Sequence, residues 1–424
     1  MSDFLAPLDY RRARETLRAL DFYTAYTPEG ARRVAAILRE QYPMVFARTE
    51  AKTFANGALL LEMAGASVNE PMVFVSHMDS LRTREPLVST MEPMVVPLQR
   101  AHVVALLEAL EALLQSGYQP GGDLFLALSM DGLMEGKGAR DMAAHLAARK
   151  VSPCFVLDHG GYATRAAFRR YLPPGAPLAL IGITEKGRLM GRVIAPAAAE
   201  WEDRAAERPL NVLLQSGSRL GFRPRRASLC PASERMLAEI AHHAPLGRRL
   251  LLANARLTFP LLRAQWRRRA ILSQFFISEL TVTGVHTKGE PSRSPTEAEL
   301  TFTLQTVPGK PLARWKRGLR TRVGQGGAAL ETTVELEASP QSQTSGEAWD
   351  ALETAIEILF ERAVIAPCLC PSVTDGRFFS GLNGKVYRFS PFLLNSEEAL
   401  RGECAVHSAA LQTAVQFFRQ MLSV

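Results

Sequence analysis

The sequence predicts an α/β fold: a mostly parallel sheet covered by helices, interrupted by a smaller inserted α+β unit. In the first 187 residues, nearly continuous apolar runs alternate with helical segments, which is typical of buried parallel strands. Beyond residue 187 the runs change to half-buried alternation, as in a sheet with one solvated face. With 424 residues, 47% of them hydrophobic, the chain can bury a large core over two domains.

The first part of the predicted main domain spans residues 1–187. Helices are predicted at 9–20 and 27–42 because Leu, Ala, Ile and Val recur there at spacings of three and four. Four apolar strands follow, with two helices between the later ones. The predicted strands are 58–65, 72–78, 123–130 and 154–161, and the predicted helices are 101–116 and 138–150.

The predicted insertion spans residues 188–338, and residues 339–424 return to the main domain. The Arg- and Leu-rich segment 221–268 is predicted to be helical and additional to a minimal α+β unit. The other elements of the insertion are strands at 188–195, 273–284, 297–307 and 331–338, and helices near 207–220 and 311–322. The returning part contains a helix at 348–364, further strands and a final helix at 405–422.

The positive charge is concentrated in the insertion. Residues 188–338 hold 24 Lys and Arg against 13 Asp and Glu, or +11, within a chain whose net charge is +8. Basic runs at 222–226 and 265–270 could contact phosphates or an acidic partner, or could be solvated helix faces. The insertion lacks a nucleic-acid-binding motif, so we expect no nucleic-acid partner.

The expected location is cytoplasmic, without a membrane partner. The first 20 residues lack the apolar core of a signal peptide, and the longest apolar run is too short to span a bilayer. The cysteines are few, odd in number and scattered, which suits a reducing compartment. They are Cys154, Cys230, Cys368, Cys370 and Cys404.

A His-x-Asp motif ends the predicted strand at 72–78. His77 and Asp79 could simply cap the strand and open the next turn. They could equally be half of a metal site, in which the imidazole binds a zinc-type cation and the carboxylate fixes its tautomer. The second interpretation requires further ligands elsewhere in the chain.

Several motifs, taken in order, resemble metallopeptidase family twenty, the co-catalytic zinc aminoacylase and carboxypeptidase superfamily. The resemblance is strongest to its Gly-X carboxypeptidase and N-acyl-amino-acid hydrolase branch. Residues 76–79 resemble the family's Gly-His-x-Asp, and residues 158–161 resemble its Asp-Glu-Gly-Gly. Further similar segments are "ITEKG" at 183–187, "VTDGRFF" at 373–379 and "VYRFSPFLL" at 386–394.

This resemblance implies a phosphorylase/hydrolase-like main domain with a ferredoxin-like lid that mediates homodimerisation. It also implies two zinc ions that share a bridging carboxylate, with a glutamate as general base. Peptides or N-acyl amino acids would be the substrates. Residue by residue, His77 and Asp158 match ligands of one zinc, and Asp79 matches the carboxylate that steadies the histidine.

The remaining site positions depart from the family pattern. Gly132 stands in place of the general base, and the other ligand positions hold residues that cannot bind zinc. These are Leu98 for the bridging aspartate, Leu133 for a glutamate and Arg401 for the final histidine. The lid histidine and arginine are also missing, with Gln305 at the arginine position. Glu92 and Glu135 are the carboxylates nearest in sequence that could substitute.

Three hypotheses follow. In the first, the chain is a noncatalytic homologue that keeps the fold for binding or assembly, with zinc bound weakly or not at all. In the second, it is a hydrolase with a single zinc at His77 and Asp158 and His159 as a third ligand, although neighbouring strand residues should point to opposite faces. In the third, it is a basic module whose insertion binds an acidic partner.

Overall fold

A computed structural model describes most of the chain. The described residues are 10–21, 27–67, 70–79, 94–196, 208–220, 227–266, 270–288, 295–394 and 403–423. They form two compact units. The first unit comprises Met1–Thr184, Glu234–Thr258 and Pro340–Val424, and the second comprises Glu185–Ser233 and Phe259–Ser339. The predicted boundaries at 188 and 338 stay a prediction, and the structure groups 234–258 with the first unit.

The helices and strands follow the predicted order, but the strand predicted at 273–284 begins six residues later, at Glu279. The helices are α1 Tyr10–Asp21, α2 Pro28–Gln41, α3 Pro43–Arg48, α4 Leu98–Gln115, α5 Lys137–Ala148, α6 Pro209–Leu220, α7 Pro231–His243, α8 Leu246–Ala253, α9 Ala255–Trp266, α10 Ala270–Ser273, α11 Leu312–Gly324, α12 Glu347–Leu359, α13 Ser380–Asn383 and α14 Ser408–Leu422. The strands are β1 Glu50–Thr53, β2 Leu59–Met63, β3 Met72–His77, β4 Met94–Pro97, β5 Leu124–Ser129, β6 Phe155–Thr164, β7 Leu178–Glu185, β8 Gly187–Ile194, β9 Glu279–Lys288, β10 Glu297–Thr306, β11 Ala329–Leu336, β12 Val364–Cys370, β13 Val386–Leu394 and β14 Glu403–Val406.

The first unit is built on an eight-stranded mixed sheet in the order β1-β2-β5-β3-β6-β13-β7-β12. Its four central strands, β5, β3, β6 and β13, run parallel to one another. The pairs β1–β2 and β2–β5 are antiparallel. The predicted α/β fold with a mostly parallel sheet is confirmed, and the parallel part lies where buried strands are expected.

Helices cover both faces of this sheet. Val73 and Val75 of β3 pack into one hydrophobic cluster with Met142 of α5. Phe74, between them, points to the opposite face, where its ring lies 6.2 Å from that of Phe418 on α14. Because successive strand residues alternate between faces, a strand buried on both sides must be apolar throughout, as β3 is up to Ser76.

Two glutamates are buried in α4, a helix that is buried on nearly every side. Glu108 forms two hydrogen bonds with Arg12 of α1, at 2.9 and 2.6 Å. Glu111 accepts the backbone N–H groups of Met44 and Val45, at 3.1 and 2.9 Å, at the start of α3. Each carboxylate that interrupts the apolar pattern of α4 therefore connects it to an N-terminal helix.

The second unit contains a four-stranded antiparallel sheet in the order β11-β8-β10-β9. Residues of α6 and α11 pack against it in one hydrophobic cluster, including Leu213 and Leu319. The alternation in β10, where every second residue is buried, matches the predicted half-buried pattern. Among the helices that the structure describes, none has the length and apolar character needed to cross a bilayer.

Candidate active site

The predicted site residues of the first unit meet where β3 and β5 end, beside Asp158 in the first half of the neighbouring strand β6. His77 ends β3 and lies in register with Ser129, which ends β5. Asp158 of β6 lies in register with Val75 of β3. Since β3 lies between β5 and β6, this edge of the sheet brings these side chains together, as it does in many α/β enzymes.

Asp79 steadies His77 and also holds the neighbouring loop. Its Oδ1 atom lies 2.8 Å from Nδ1 of His77. The same carboxylate accepts the N–H groups of Gly132 and Leu133, at 3.0 and 2.9 Å. Burial alone would raise the pKa of Asp79, but the nearby His77, the amide of Leu133 and the residue's own backbone amide more than offset burial and lower the pKa.

The start of α4 is fixed against the same segment. Leu98 is its first residue and is half-buried. Gln99 donates a hydrogen bond to the carbonyl of Asp79 at 3.2 Å, and Arg100 donates to the carbonyl of Met78 at 3.1 Å. The position that the resemblance assigns to the bridging ligand therefore lies on a helix that contacts the site, but it carries an isobutyl group.

In the loop after β5, Asp131 holds the start of α5, and the adjacent Gly132 has no space for a side chain. The carboxylate of Asp131 accepts the N–H of Lys137 at 2.9 Å, at the start of α5, and the side-chain amide of Asn56 at 2.7 Å. A Cβ placed on Gly132 would lie 2.6 Å from both Cβ and Cγ of His77. The side chain of Glu135 is exposed.

His159 lies on the same side as Asp158, contrary to the sequence-based expectation. Its Nδ1 lies 2.7 Å from Oδ1 of Asp158, and its ring centroid lies 4.7 Å from that of His77. The β6–β13 register shifts just beyond Asp158, and Gly160 has a φ of +139°. The strict alternation of a regular strand is therefore interrupted here, and neighbouring side chains can face the same way.

The carboxylate of Asp158 is fully buried, and each of its oxygens accepts a hydrogen bond. Besides His159, it accepts the backbone N–H of Gly376 at 2.6 Å through Oδ2, and the positive charge of Arg388 lies nearby. Burial alone would raise its pKa, but His159, the Gly376 amide and Arg388 lower it. Asp158 is consequently an ionised carboxylate inside the fold.

A second carboxyl group, Asp375, lies beside these residues. Ser129 donates a short hydrogen bond to its Oδ2 atom. Its pKa is raised to about 7, chiefly by burial and further by the carboxylates of Asp158 and Asp79, while His77 opposes the shift. Sequence reasoning assigned no role to Asp375, although the "VTDGRFF" segment contains it.

His102 of α4 lies behind His159 and was also missed. The ring centroids of these two histidines are 6.1 Å apart, and the His102 ring packs against Phe418 at 4.9 Å. Burial, with a smaller effect of His159, lowers the pKa of His102 to about 3. Neither ring nitrogen has a hydrogen-bond partner among the described residues. A single histidine in the apolar run of α4 was the signal available in the sequence.

The structure brings together His77, Asp79, Asp158 and the backbone at Gly132 and Leu133. Glu92 and Arg401 lie outside the described residues, so their predicted places in the site remain predictions. None of the described contacts joins Glu135 to this cluster.

The side chains that the structure describes at this site do not supply the ligands of the two-zinc centre that the resemblance implies. Both oxygens of Asp158 and both oxygens of Asp79 already contact protein N–H groups or imidazoles. Leu98, Gly132 and Leu133 offer no side-chain donor. Within the described ranges, no group of three or more His, Cys, Asp or Glu side chains is arranged to hold a metal ion.

Solved structures share this architecture. An M20-family metallo-carboxypeptidase from Sulfolobus solfataricus superposes with a TM-score of 0.66 at 12% identity, covering 97% of this chain and 98% of that chain. Human carnosine dipeptidase 1 gives a TM-score of 0.63 at 11% identity, covering 97% of each chain. At these identities the similarity shows the fold alone.

Sequence comparisons extend the similarity. The human N-fatty-acyl-amino acid synthase/hydrolase PM20D1 is 25% identical over 322 residues, which cover 74% of this chain and 62% of that protein. The probable carboxypeptidase S-like 2 of Dictyostelium discoideum is 22% identical over 427 residues, covering 95% of this chain and 79% of the relative. The chain thus spans about three fifths of human PM20D1.

The family model for peptidase family M20/M25/M40 matches residues 73–423, which include every strand of both sheets except β1, β2 and the start of β3. The match also contains the strand ends at which His77, Asp79 and Asp158 meet. The chain belongs to the M20/M25/M40 peptidase family.

Proposed function

We propose that the chain is a noncatalytic member of its peptidase family, which keeps the fold for binding or assembly. The observation that carries the proposal is the packing at Gly132. This residue stands where the family has its general base, and any Cβ there would lie 2.6 Å from His77. A general base contributes roughly 10²- to 10⁴-fold to rate, and a glycine supplies no group to move a proton.

The hydrogen bonding of the retained carboxylates supports the same proposal. Asp79 holds the Gly132–Leu133 backbone, and Asp158 holds the Gly376 amide and His159. A zinc ion at these oxygens would have to displace several charge-assisted hydrogen bonds. The retained residues therefore have structural roles that do not require a metal.

The proposed ligand class is a peptide or an N-acyl amino acid. The names of the relatives support this class, since one is an N-fatty-acyl-amino acid synthase/hydrolase and another a probable carboxypeptidase. A ligand carboxylate would have to be recognised without the lid arginine of the family, because Gln305 stands at that position. Binding without turnover is the expected behaviour.

The proposal is tested by assaying the purified protein with dipeptides and an N-oleoyl amino acid, with and without added zinc, and by calorimetric zinc titration. We expect no hydrolysis above the buffer rate and no sub-micromolar zinc site. His77→Ala is the matched control, because it should leave both results unchanged. Hydrolysis that is lost to a chelator and restored by zinc would overturn the proposal.

The second candidate is a hydrolase with one zinc held by His77, Asp158 and His159. One observation favours it: the His159 ring lies 4.7 Å from the His77 ring and on the Asp158 side, rather than on the opposite face. The contact between His159 Nδ1 and Asp158 opposes it, because it occupies one atom of each group. Elemental analysis showing one zinc per chain, lost in both His77→Ala and His159→Ala, would favour this candidate.

A homodimer formed through the second unit is also proposed. β9 is an edge strand of the four-stranded sheet, and Val285 on it is more than half exposed. Edge strands with unpaired backbone groups are commonly covered by another strand or chain. Light scattering at micromolar concentration should show a dimer, and a monomer would count against this assembly.

A cytoplasmic location is proposed on the cysteines. All five cysteines are reduced in the structure, one of them half-buried and four buried. Free buried thiols are typical of proteins from reducing compartments. Localisation of the tagged full-length protein by fractionation tests this, and recovery from an oxidising compartment would overturn it.

A further inference from the structure

The segment between Glu239 and Glu279 is unusually basic. It contains seven arginines and neither an aspartate nor a glutamate. Within it, residues 246–257, "LGRRLLLANARL", interleave leucines with arginines and contain no aromatic residue. These twelve residues lie wholly in the first unit and form α8 and the first residues of α9.

Most leucines of this segment are exposed. The exposed fractions are 81% for Leu246, 67% for Leu250, 36% for Leu251 and 82% for Leu257. Only Leu252 of α8 is buried. A single exposed leucine is ordinary on a protein surface, but several in one short segment mark an interaction surface. We call Leu246, Arg248, Arg249, Leu250, Leu251, Arg256 and Leu257 the leucine–arginine surface.

Specific contacts hold this surface in place on the first unit. Arg248 donates a short hydrogen bond to the carbonyl of Arg170, and its guanidinium lies 6.0 Å from the ring centroid of Tyr171. Arg256 forms two hydrogen bonds with Glu234, at 2.9 and 2.8 Å, while 81% of its side chain stays exposed. The leucines are therefore exposed on anchored helices.

We propose that the leucine–arginine surface docks the protein onto an anionic lipid surface, with the leucines inserted at the acyl boundary and the arginines at the phosphate groups. Leucine beside arginine, without acidic residues, is the composition of helices that lie in a membrane interface. At eight residues α8 is about 12 Å long, far too short to span a bilayer. This proposal replaces, for this surface, the expectation of no membrane partner.

Charge complementarity favours an anionic lipid surface over a second copy of the chain or another protein as the occupant of this surface. A second copy docked through the same surface would bring arginines against arginines, because a two-fold interface repeats the same residues on both sides. A protein partner is less suited, because leucine is under-represented among the residues that dominate protein interfaces and the segment offers no aromatic anchor. Anionic headgroups instead pair with Arg249 and with the exposed parts of Arg248 and Arg256. Among the described contacts of this surface, only Glu234 beside Arg256 offsets their charge.

The test is cosedimentation of the full-length protein with phosphatidylcholine vesicles that contain roughly 30 mol% phosphatidylserine, compared with pure phosphatidylcholine. We expect partitioning onto the anionic vesicles only, weakening by about tenfold or more when the salt is raised from about 0.1 to 0.5 M. Equal partitioning onto both vesicle types, or onto neither, overturns the proposal.

Two triple variants assign the binding to the surface. Arg248→Gln with Arg249→Gln and Arg256→Gln should weaken it at least about 25-fold, since Arg248 and Arg249 each contribute roughly fivefold and Glu234 partly neutralises Arg256. Leu246→Gln with Leu250→Gln and Leu257→Gln should weaken it at least about tenfold. The matched control is Ile358→Gln with Arg362→Gln, an exposed pair elsewhere on the first unit, which should bind unchanged.

Two further outcomes would contradict the proposal of lipid docking. If the leucine variant dissociates a dimer but leaves vesicle binding unchanged, the surface belongs to a second copy and the proposal is wrong. Binding to polyglutamate without binding to anionic vesicles would assign it to an acidic protein and overturn the proposal. Circular dichroism of each variant verifies folding, and the two triple variants rest on independent substitutions.

Discussion

Two neighbouring strand ends in the first unit keep very different parts of the family motif. β3 ends at His77, with Asp79 two residues beyond, and the resemblance assigns both to the family motif. β5 pairs with β3 in register, and in the loop after β5 the resemblance matches Asp131 but assigns Gly132 and Leu133 to two glutamate positions. The two strands are direct neighbours, so the comparison turns on what each side chain contacts.

The kept residues differ from the replaced ones because their side chains accept hydrogen bonds from backbone amides. Asp79 binds two amides of the next loop, Asp131 caps α5 and Asp158 binds the Gly376 amide. The resemblance assigns a general base and a metal ligand to positions 132 and 133, and none of the described contacts requires a side chain at 132. A retained motif residue is therefore poor evidence of retained catalysis when it also holds the backbone.

Asp158→Ala should have the largest effect. It removes the buried acceptor for His159 and for the Gly376 amide, and one negative charge near Arg388. We expect the free energy of unfolding to fall by about 3–5 kcal/mol, measured by urea denaturation.

The urea denaturation of the Asp158→Ala variant should be repeated with a chelator present. If Asp158 has a structural role, the loss is the same with and without the chelator. A loss below about 1 kcal/mol would show that this carboxylate is not needed for the fold, and the comparison between the strand ends would fail.

Gly132→Ala should destabilise by about 1–3 kcal/mol, because its Cβ would lie 2.6 Å from Cβ and Cγ of His77 and force the loop or the ring to move. Thermal or urea unfolding measures the loss. The matched control is Gly121→Ala, where a Cβ would meet nothing within 4 Å. A neutral Gly132→Ala would mean that the loop yields easily and that a glutamate could be returned there.

His102 should make stability depend on pH. Burial lowers its pKa from 6.5 to about 3, so in acid the unfolded chain takes up a proton that the folded chain does not. The stabilising contribution is complete above pH 6.5 and is lost as the pH falls towards 3. By pH 5 the loss is about 2 kcal/mol.

The variant His102→Leu should flatten this part of the pH profile of unfolding, while the exposed His242→Leu on α7 should not. An unchanged profile in His102→Leu would mean that His102 is protonated in the folded protein, or that water reaches it.

Asp131→Ala should have the smallest effect, about 1 kcal/mol, because it removes a helix cap at the start of α5. Asp131→Asn should recover most of the loss, since asparagine caps nearly as well. Differential scanning calorimetry can resolve the two variants. If asparagine is as damaging as alanine, the charge of Asp131 matters beyond capping.

The family resemblance, rather than strand geometry, assigned His77, Asp79 and Asp158 to one site. The structure brings these three residues together where β3 and β5 end. After residue 187 the pattern changes from continuous apolar runs to half-buried alternation, which predicted a second sheet with a solvated face. The structure contains this sheet.

Long-range side-chain contacts could not be predicted. Ser129 and Asp375 are 246 residues apart in the chain, and no local pattern pairs them. The side on which His159 lies depends on a register shift between β6 and β13, which a rule of strict alternation cannot anticipate. The tight packing at Gly132 likewise depends on the exact path of the loop, whereas sequence shows only that a glycine is present.

The two glutamates of α4 set a limit on how the protein can be shortened. A version that begins at β3 would keep six of the eight strands of the large sheet but would lack β1, β2, Arg12 and the first turn of α3. Glu108 and Glu111 would then be left in an apolar helix without their donors, at a cost of several kcal/mol each. The three N-terminal helices are thus part of the autonomous folding unit, and a truncated protein should be recovered only if both glutamates are also replaced by apolar residues.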